Sequence, residues 1–274
     1  MNSSCPIITD TISSNTLFHF TDSVDKLISI LTNEFCPRYC LEDFSLIEPH
    51  SSNKIELAIP MVSFCDLPLS QVRTHLRIYG NYGIGLRKDW GKANGVSPVL
   101  YSYRESSFLD HLRKVIHENL DEGSRNEPLN PKFYRRVFGI LSFLKQYEGD
   151  FKRRDQDYPN LRFYNEREWR YVPDTIPEDL QQRQRPEYKD LSECLISEEF
   201  NDPITLQENN RRIAQDFFRI KFQPKDIKYI IVADENEIGT MIHSIHDIKD
   251  KYSKDDLDLL TSRIISSQQI KDDF

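Results

Sequence analysis

Residues 16–31, TLFHFTDSVDKLISIL, change their hydrophobic period partway along. Residues 16–20 are a short apolar run and read as a buried strand. Asp22 or Ser23 is then a good helix N-cap, because a short side-chain oxygen can accept a backbone N–H left open in the first turn. Val24, Leu27, Ile28 and Leu31 follow at i, i+3, i+4 and i+7, which places them on one helix face. A strand that leads straight into an amphipathic helix predicts a mixed fold.

The rest of the chain repeats the theme unevenly. Residues 36–53 carry Pro37, Pro49, Ser51 and Ser52 and read as a loop. Residues 55–64, IELAIPMVSF, read as a strand interrupted or bordered by Pro60. Asp66 and Pro68 open a helix that runs to about Ile78. Residues 82–86, YGIGL, form a short strand whose two glycines predict the close approach of another backbone or a ligand. One or two helical turns over residues 88–94 end on Gly95 at C′. Residues 99–103 give a further strand. Helices are predicted over 107–120 and 131–147, with a polar loop over 121–130.

Residues 166–172, EREWRYV, alternate and read as a strand with Trp169 and Tyr171 on its core face. Residues 173–201, rich in Pro and Gln, read as a surface excursion. Strands at 220–222 and 227–232 and helices at 235–249 and 255–265 complete the chain. Short strands interleaved with helices predict an α+β class. The expected organisation is a flexible segment at 1–15 and one domain over 16–274. That domain carries insertions at about 104–160 and 173–215.

Composition narrows the function classes. The chain has 274 residues, enough for a core without disulfide or metal staples. Its 11% aromatic content argues against a disordered chain. No run is long and apolar enough to span a membrane, and the N-terminus has neither the basic nor the apolar region of a signal peptide. Five scattered cysteines suit reduced thiols and a cytoplasmic protein. A net charge of −8 disfavours a bulk nucleic-acid surface, which relies on neutralising phosphates. Lys152, Arg153 and Arg154, and Arg183 and Arg185, offer local positive charge, for which a solvated face is the better account than a nucleic-acid contact.

Cofactor signatures are weak. Gly80, Gly83 and Gly85 have G-x-x-G-x-G spacing, not the dinucleotide-binding order, and no P-loop is present. Cys36 and Cys40 lack a second ligand pair, and His243 and His246 read as solvated helix residues, so no metal site is expected. Three separated segments stand out instead. They are His19 in LFHFT, then MVSFCD over residues 61–66 followed by Tyr79 and Tyr82, then Glu166 and Glu168 in EREWR. A strand would place Glu166 and Glu168 on one face, with Arg167 and Arg170 nearby.

Together, LFHFTDSVDKLISIL, MVSFCDLPLSQVRTHLRIYGNYGIGLRKDWG, EREWRYVP and FQPKDIKYIIV resemble the AbiGi family, described as abortive phage-resistance proteins on the antitoxin side of an abortive-infection pair. The order His19, then Ser63 or Tyr82, then Glu168 is also similar, more distantly, to the ADP-ribosyltransferase fold. That resemblance implies a split, mostly antiparallel β-core flanked by helices, with NAD as substrate. It departs from the pattern in having no Ser-Thr-Ser and two competing tyrosines.

Under that resemblance Glu168 would stabilise positive charge developing on the ribose as the nicotinamide bond breaks. Glu166 would orient the acceptor or accept its proton. His19 would hydrogen-bond a ribose hydroxyl, Ser63, Tyr79 or Tyr82 would bind the dinucleotide, and Arg38, Arg73 or Arg87 would be available to the pyrophosphate. Two function classes follow: an enzyme that transfers ADP-ribose or cleaves NAD, and an antitoxin-like protein that binds a toxin or another phage-defence partner without turnover.

Overall fold

The computed structural model describes residues 13–48, 53–123, 131–153, 156–176, 180–248 and 251–273. Strand β1 (Thr16–Thr21) leads into helix α1 (Val24–Asn33), as its period predicts. Ser23 caps α1, its Oγ accepting the Lys26 N–H at 3.3 Å. Next come β2 (Arg38–Asp43), β3 (Glu56–Cys65), α2 (Arg73–Tyr79), β4 (Tyr82–Arg87), α3 (Lys88–Ala93), β5 (Ser97–Pro98), β6 (Leu100–Ser102), α4 (Ser107–Gly123) and α5 (Pro131–Leu141). Strands β7 (Leu144–Gln146), β8 (Gly149–Arg153), β9 (Gln156–Leu161) and β10 (Glu168–Tyr171) follow. Then come α6 (Leu180–Arg183), β11 (Leu195–Ile196), α7 (Ser197–Asn201) and α8 (Pro203–Ile213). The last elements are β12 (Ile227–Val232), α9 (Ile238–Asp247), α10 (Lys254–Thr261), β13 (Ile264–Ser266) and α11 (Ser267–Asp273).

The chain forms two compact units. The first comprises residues 1–32, 64–93 and 222–274. Its strands run in the order β13-β12-β4-β1, and the last residues of β3 pair beside β1. Only the β12–β13 pair is parallel; β12 with β4, β4 with β1 and β1 with β3 are antiparallel. One face of this sheet packs Phe18, Cys65 and Ile231 against Leu67, Val72, Leu76 and Ile270. The glycines of β4 do mark a close approach, to the rings of β1 at both positions and, at Gly83, also to the His19 carbonyl, 3.0 Å from where a Cβ would lie. A Cβ on Gly85 would lie 2.7 Å from the Phe18 ring, and one on Gly83 would lie 2.8 Å from the Phe20 ring. Gly95 has φ +74°, as its C′ reading requires.

The second unit comprises residues 33–63 and 94–221. Most of β3 lies here, flanked by β2 on one edge, with β11 and β10 also paired to it and β5 beyond β10. The β2–β3, β11–β3 and β10–β5 pairings are antiparallel, and a separate pair, β6–β7, is parallel. Strands β8 and β9 form their own hairpin. Phe44, Ile59 and Met61 pack with Phe138 and Ile176, while Leu109, Leu112, Ile116 and Leu144 form a second apolar cluster under α4.

Several expectations are corrected here. The predicted loop at 36–53 contains β2, which pairs with β3 from Arg38 opposite Met61 to Asp43 opposite Glu56. Pro60 does not interrupt β3; it sits within the strand, opposite Tyr39. The helix predicted over 131–147 stops at Leu141, and the apolar Leu144 belongs to β7 instead. The excursion at 173–201 is partly structured, because Leu195 pairs with Ala58. Ile264 and Ile265, read as helical, lie on β13. Ile220 makes only an isolated bridge with Phe35. Within the flexible segment, Ser13 and Ser14 are held by the Asp66 carboxylate at 2.8 and 2.9 Å; residues 1–12 lie outside the described residues. Residues 124–130 of the polar loop lie outside them too.

Candidate functional site

The EREWRYV segment does not form one continuous strand. Residues Phe163–Glu166 make a turn of 3-10 helix, Arg167 adopts a left-handed conformation (φ +46°, ψ 50°), and β10 starts at Glu168. A non-glycine residue in that region costs about 1–2 kcal/mol, so the surroundings must hold it. Its effect is to reverse the chain between Glu166 and Glu168, so the two carboxylates meet through a turn rather than through strand alternation.

The polarity of β10 is also the reverse of the sequence reading. Glu168 and Arg170 are buried, while Trp169 and Tyr171 are half-exposed. Arg170 is 0% exposed and ranks among the bulkiest fully buried side chains of the described residues. A charge at that depth is tolerable only when its donors are matched. Its Nε and Nη2 donate to Glu168 at 2.7 and 3.1 Å, Nη2 also donates to Glu42 at 2.7 Å, and Nη1 donates to the Ser142 carbonyl at 3.0 Å.

Lys145 supplies the second cation. It lies on β7, whose register places it opposite Tyr101 of β6. Its Nζ donates to Glu168 at 2.7 Å and to Glu166 at 3.3 Å, and it lies 5.0 Å from the centre of the Phe163 ring. Ser63 Oγ donates to Glu168 Oε1 at 2.8 Å. The Tyr101 hydroxyl accepts the Glu168 backbone N–H at 2.8 Å. Three carboxylates and two cations therefore share one buried cluster, built from β2, β3, β6, β7 and β10.

Electrostatics follow from this packing. Burial alone would raise the Glu168 pKa, but the charges of Arg170 and Lys145 outweigh it and hold the carboxyl well below the usual range. Burial works against the charge of Lys145, and Glu168, Glu42 and Glu166 overcome it, so the ammonium stays protonated. Arg170 is raised in the same way, by Glu168 and Glu42 against burial. Burial, then the neighbouring Glu42, pushes the Cys40 thiol up to about 12, so it is a neutral part of the wall.

The Glu168 carboxylate accepts two hydrogen bonds on each oxygen, from Ser63 and Arg170 on Oε1 and from Lys145 and Arg170 on Oε2. That fills the roughly four acceptor positions such a group has.

The structure thus joins three of the residues singled out in the sequence: Ser63, Glu166 and Glu168. His19, Tyr79 and Tyr82 belong to the other unit, where each has its own neighbours. The His19 ring meets Phe64 edge-on at 5.8 Å. Tyr79 packs on His75 at 5.4 Å. The Tyr82 hydroxyl donates to Glu237 at 2.8 Å, and burial with that bond raises it to about 12. Arg87 donates to the Lys225 carbonyl, while Arg38 and Arg73 are exposed. His243 and His246 lie on exposed positions of α9. Among the described residues no group of three or more His, Cys, Asp or Glu is placed to hold a metal ion. No helix among them is long and apolar enough to cross a membrane.

Sequence reasoning missed Glu42, Tyr101 and Lys145, and gave Arg170 only a flanking place. Arg170 had a usable signal, since it shares strand parity with Glu168. Glu42 fell in a stretch read as loop, and Lys145 in one read as helix.

Comparison with known proteins places this arrangement. Residues 33–233 match a family described as "Putative abortive phage resistance protein AbiGi, antitoxin". The abortive phage resistance protein AbiGi of Lactococcus lactis subsp. cremoris is 27% identical over 263 residues, covering 88% of this chain and 99% of that protein. The spermidine/putrescine import ATP-binding protein PotA of Mycoplasma genitalium is 24% identical over 192 residues, covering 66% of this chain but only 33% of that protein. No solved structure matches. The family match spans the whole buried charge cluster, from Glu42 to Arg170, and most of the chain: this protein is a member of the AbiGi family of abortive phage-resistance proteins.

Proposed function

We propose that the protein acts as the antitoxin of an abortive-infection pair, binding its toxin stoichiometrically rather than consuming NAD. The family supports the antitoxin role. The observation that carries the non-enzymatic half is the state of Glu168. A carboxylate that stabilises an oxocarbenium-like ribose must face the sugar with charge to spare. The acceptor positions of Glu168 are taken by Ser63, Lys145 and Arg170, and two adjacent cations neutralise it. In this reading the cluster is a structural clamp that fixes β2, β3, β7 and β10 against one another.

The second reading keeps NAD as substrate in an ADP-ribosyltransferase-like core. What favours it is that His19, Ser63 and Glu168 each lie on a strand of mostly antiparallel sheets. One pair of measurements separates the two. In cells that express its cognate toxin, co-expression of this protein should restore growth, and the purified protein incubated with NAD should release no nicotinamide. Release that disappears in Glu168→Gln, with the fold intact, establishes the NAD reading and overturns ours.

A further inference from the structure

The first unit gathers positive charge at one end of its sheet. Strand β4 ends at Arg87 and runs antiparallel to β12, which starts at Ile227. Strand β13 runs parallel to β12 and starts immediately after Arg263. Those directions bring Arg87 and Arg263 to the same end of the sheet, one on each side of β12. A 3-10 turn over Pro224–Asp226 leads into β12 there. Arg87 Nε donates to the Lys225 carbonyl at 3.0 Å, and Arg263 Nη1 donates to the Pro224 carbonyl at 2.7 Å. Carbonyls of consecutive residues thus hold two guanidinium groups on one turn.

Neither arginine is neutralised in place. Among the described residues no carboxylate forms an ion pair with Arg87 or Arg263. Asp226, on the turn itself, accepts the Gln223 N–H at 2.9 Å. Its attraction for Arg263 is outweighed by partial burial and by the charge of Arg87, which hold that guanidinium below the usual arginine range. Helix α10 packs on the turn and brings Asp255, Asp256 and Asp258, of which Asp256 is taken up by Ser253 at 2.7 Å. Lys225 and Lys228 add positive charge beside the turn. Each guanidinium has five N–H donors and spends one on its carbonyl, so most of both forks stays open. Two like charges held together cost energy until an anion lies between them.

We propose that Arg87 and Arg263 form a binding site for a terminal phosphate, carried by a nucleotide or by an RNA 5′ end. A carboxylate fills one guanidinium fork and neutralises one charge. A terminal phosphate presents three oxygens and close to two negative charges, which two forks can share. The −8 charge of the chain disfavours a long run of backbone phosphates, but a single phosphate needs only this local pair. NAD is not the ligand meant, since its phosphates are internal and each carries one charge. The site goes beyond the antitoxin reading and does not rest on it: both arginines belong to the first unit, and the Glu168 cluster belongs to the second.

The test titrates the full-length protein at low salt and about pH 8, where a terminal phosphate is a dianion. The probes are inorganic phosphate, AMP, and one short RNA carrying either a 5′-phosphate or a 5′-hydroxyl. Binding of the terminal phosphate should saturate. Arg87→Gln and Arg263→Gln should each weaken it roughly tenfold or more, the loss expected for a charge-assisted hydrogen bond. Arg87 is exposed, so its variant should melt as the parent does and keeps the test decisive where Arg263→Gln loosens the turn. Lys189→Gln removes the same charge from an exposed position of the other unit and should leave binding as it was. Tighter binding of the 5′-phosphorylated RNA than of AMP assigns the phosphate to an RNA end; equal or weaker binding assigns it to a free nucleotide. The site is overturned by acetate that competes as well as phosphate, by 5′-hydroxyl RNA that binds as tightly as the phosphorylated form, by binding unchanged in both arginine variants, or by a parent that binds none of the probes.

Discussion

Both units pack apolar clusters, but the second adds a buried charge cluster to its own. In the first, Phe18, Leu76, Ile231 and Ile270 fill the space against the sheet with hydrocarbon. In the second, β10 turns Glu168 and Arg170 inward and closes them with Glu42, Lys145, Glu166 and Ser63. An apolar core is tolerant, since any well-shaped hydrophobe gains by leaving water. A buried charge cluster is unforgiving, because each member left without its partner bears most of its desolvation cost. The second unit has accepted a more brittle interior in exchange for a fixed arrangement of five segments.

The sharpest way to break this comparison is Arg170→Ala. It removes the donor shared by Glu168 and Glu42 and leaves the cluster's three carboxylates with Lys145 as the remaining cation. The expected loss is about 3–5 kcal/mol, the usual range for breaking a buried pair from one side. Urea unfolding with a separate probe for each unit should show the loss in residues 33–63 and 94–221. An unchanged midpoint there would mean that the cluster is hydrated and contributes little.

The contrast between the units also explains what the sequence could tell. The β1–α1 succession was legible because its apolar positions change period at Thr21, and burial follows that pattern. Leu27 and Leu31 are buried in α1, as their spacing requires. EREWRYV was misleading because strand alternation gives two faces but not which one is inside. The alternation predicts Trp169 and Tyr171 on the core face, and the structure buries Glu168 and Arg170 instead. The local pairing of Arg170 with Glu168 is only part of the compensation, since Arg170 also bonds Glu42, which lies 128 residues earlier. Glu166 and Glu168 do meet at one ammonium, yet through the left-handed Arg167, a conformation an arginine rarely adopts. Long-range charge pairing and isolated backbone reversals leave little trace in hydrophobic periodicity, and these two features make up most of the candidate site.

A smaller effect tests the hydrocarbon side. Gly85→Ala places a Cβ 2.7 Å from the Phe18 ring and 2.9 Å from Thr16 Cγ2. Both neighbours belong to the central strand of the first unit, so neither can move far without disturbing β4 or β3. Overpacking of this kind costs about 1–3 kcal/mol. Ring repacking softens such a clash, so Gly85→Ala should cost less than Arg170→Ala. A larger loss for the alanine at Gly85 would invert the ranking of the two interiors.

The smallest expected effect is also the most discriminating. Ser63→Ala removes one of the four hydrogen bonds to Glu168 and leaves both cations in place. If the cluster is held chiefly by its charges, both cations still hold Glu168 and the cost is the net worth of one hydrogen bond, about 0.5–1.5 kcal/mol. The loss should lie below that of Arg170→Ala and, because no charge is orphaned, should change little across the pH range in which Glu168 stays ionised. A Ser63→Ala protein as unstable as Arg170→Ala would mean that hydrogen-bond geometry rather than charge balance holds the second unit. The brittleness would then reside in the fit of β3 against β10 and not in the ions buried there.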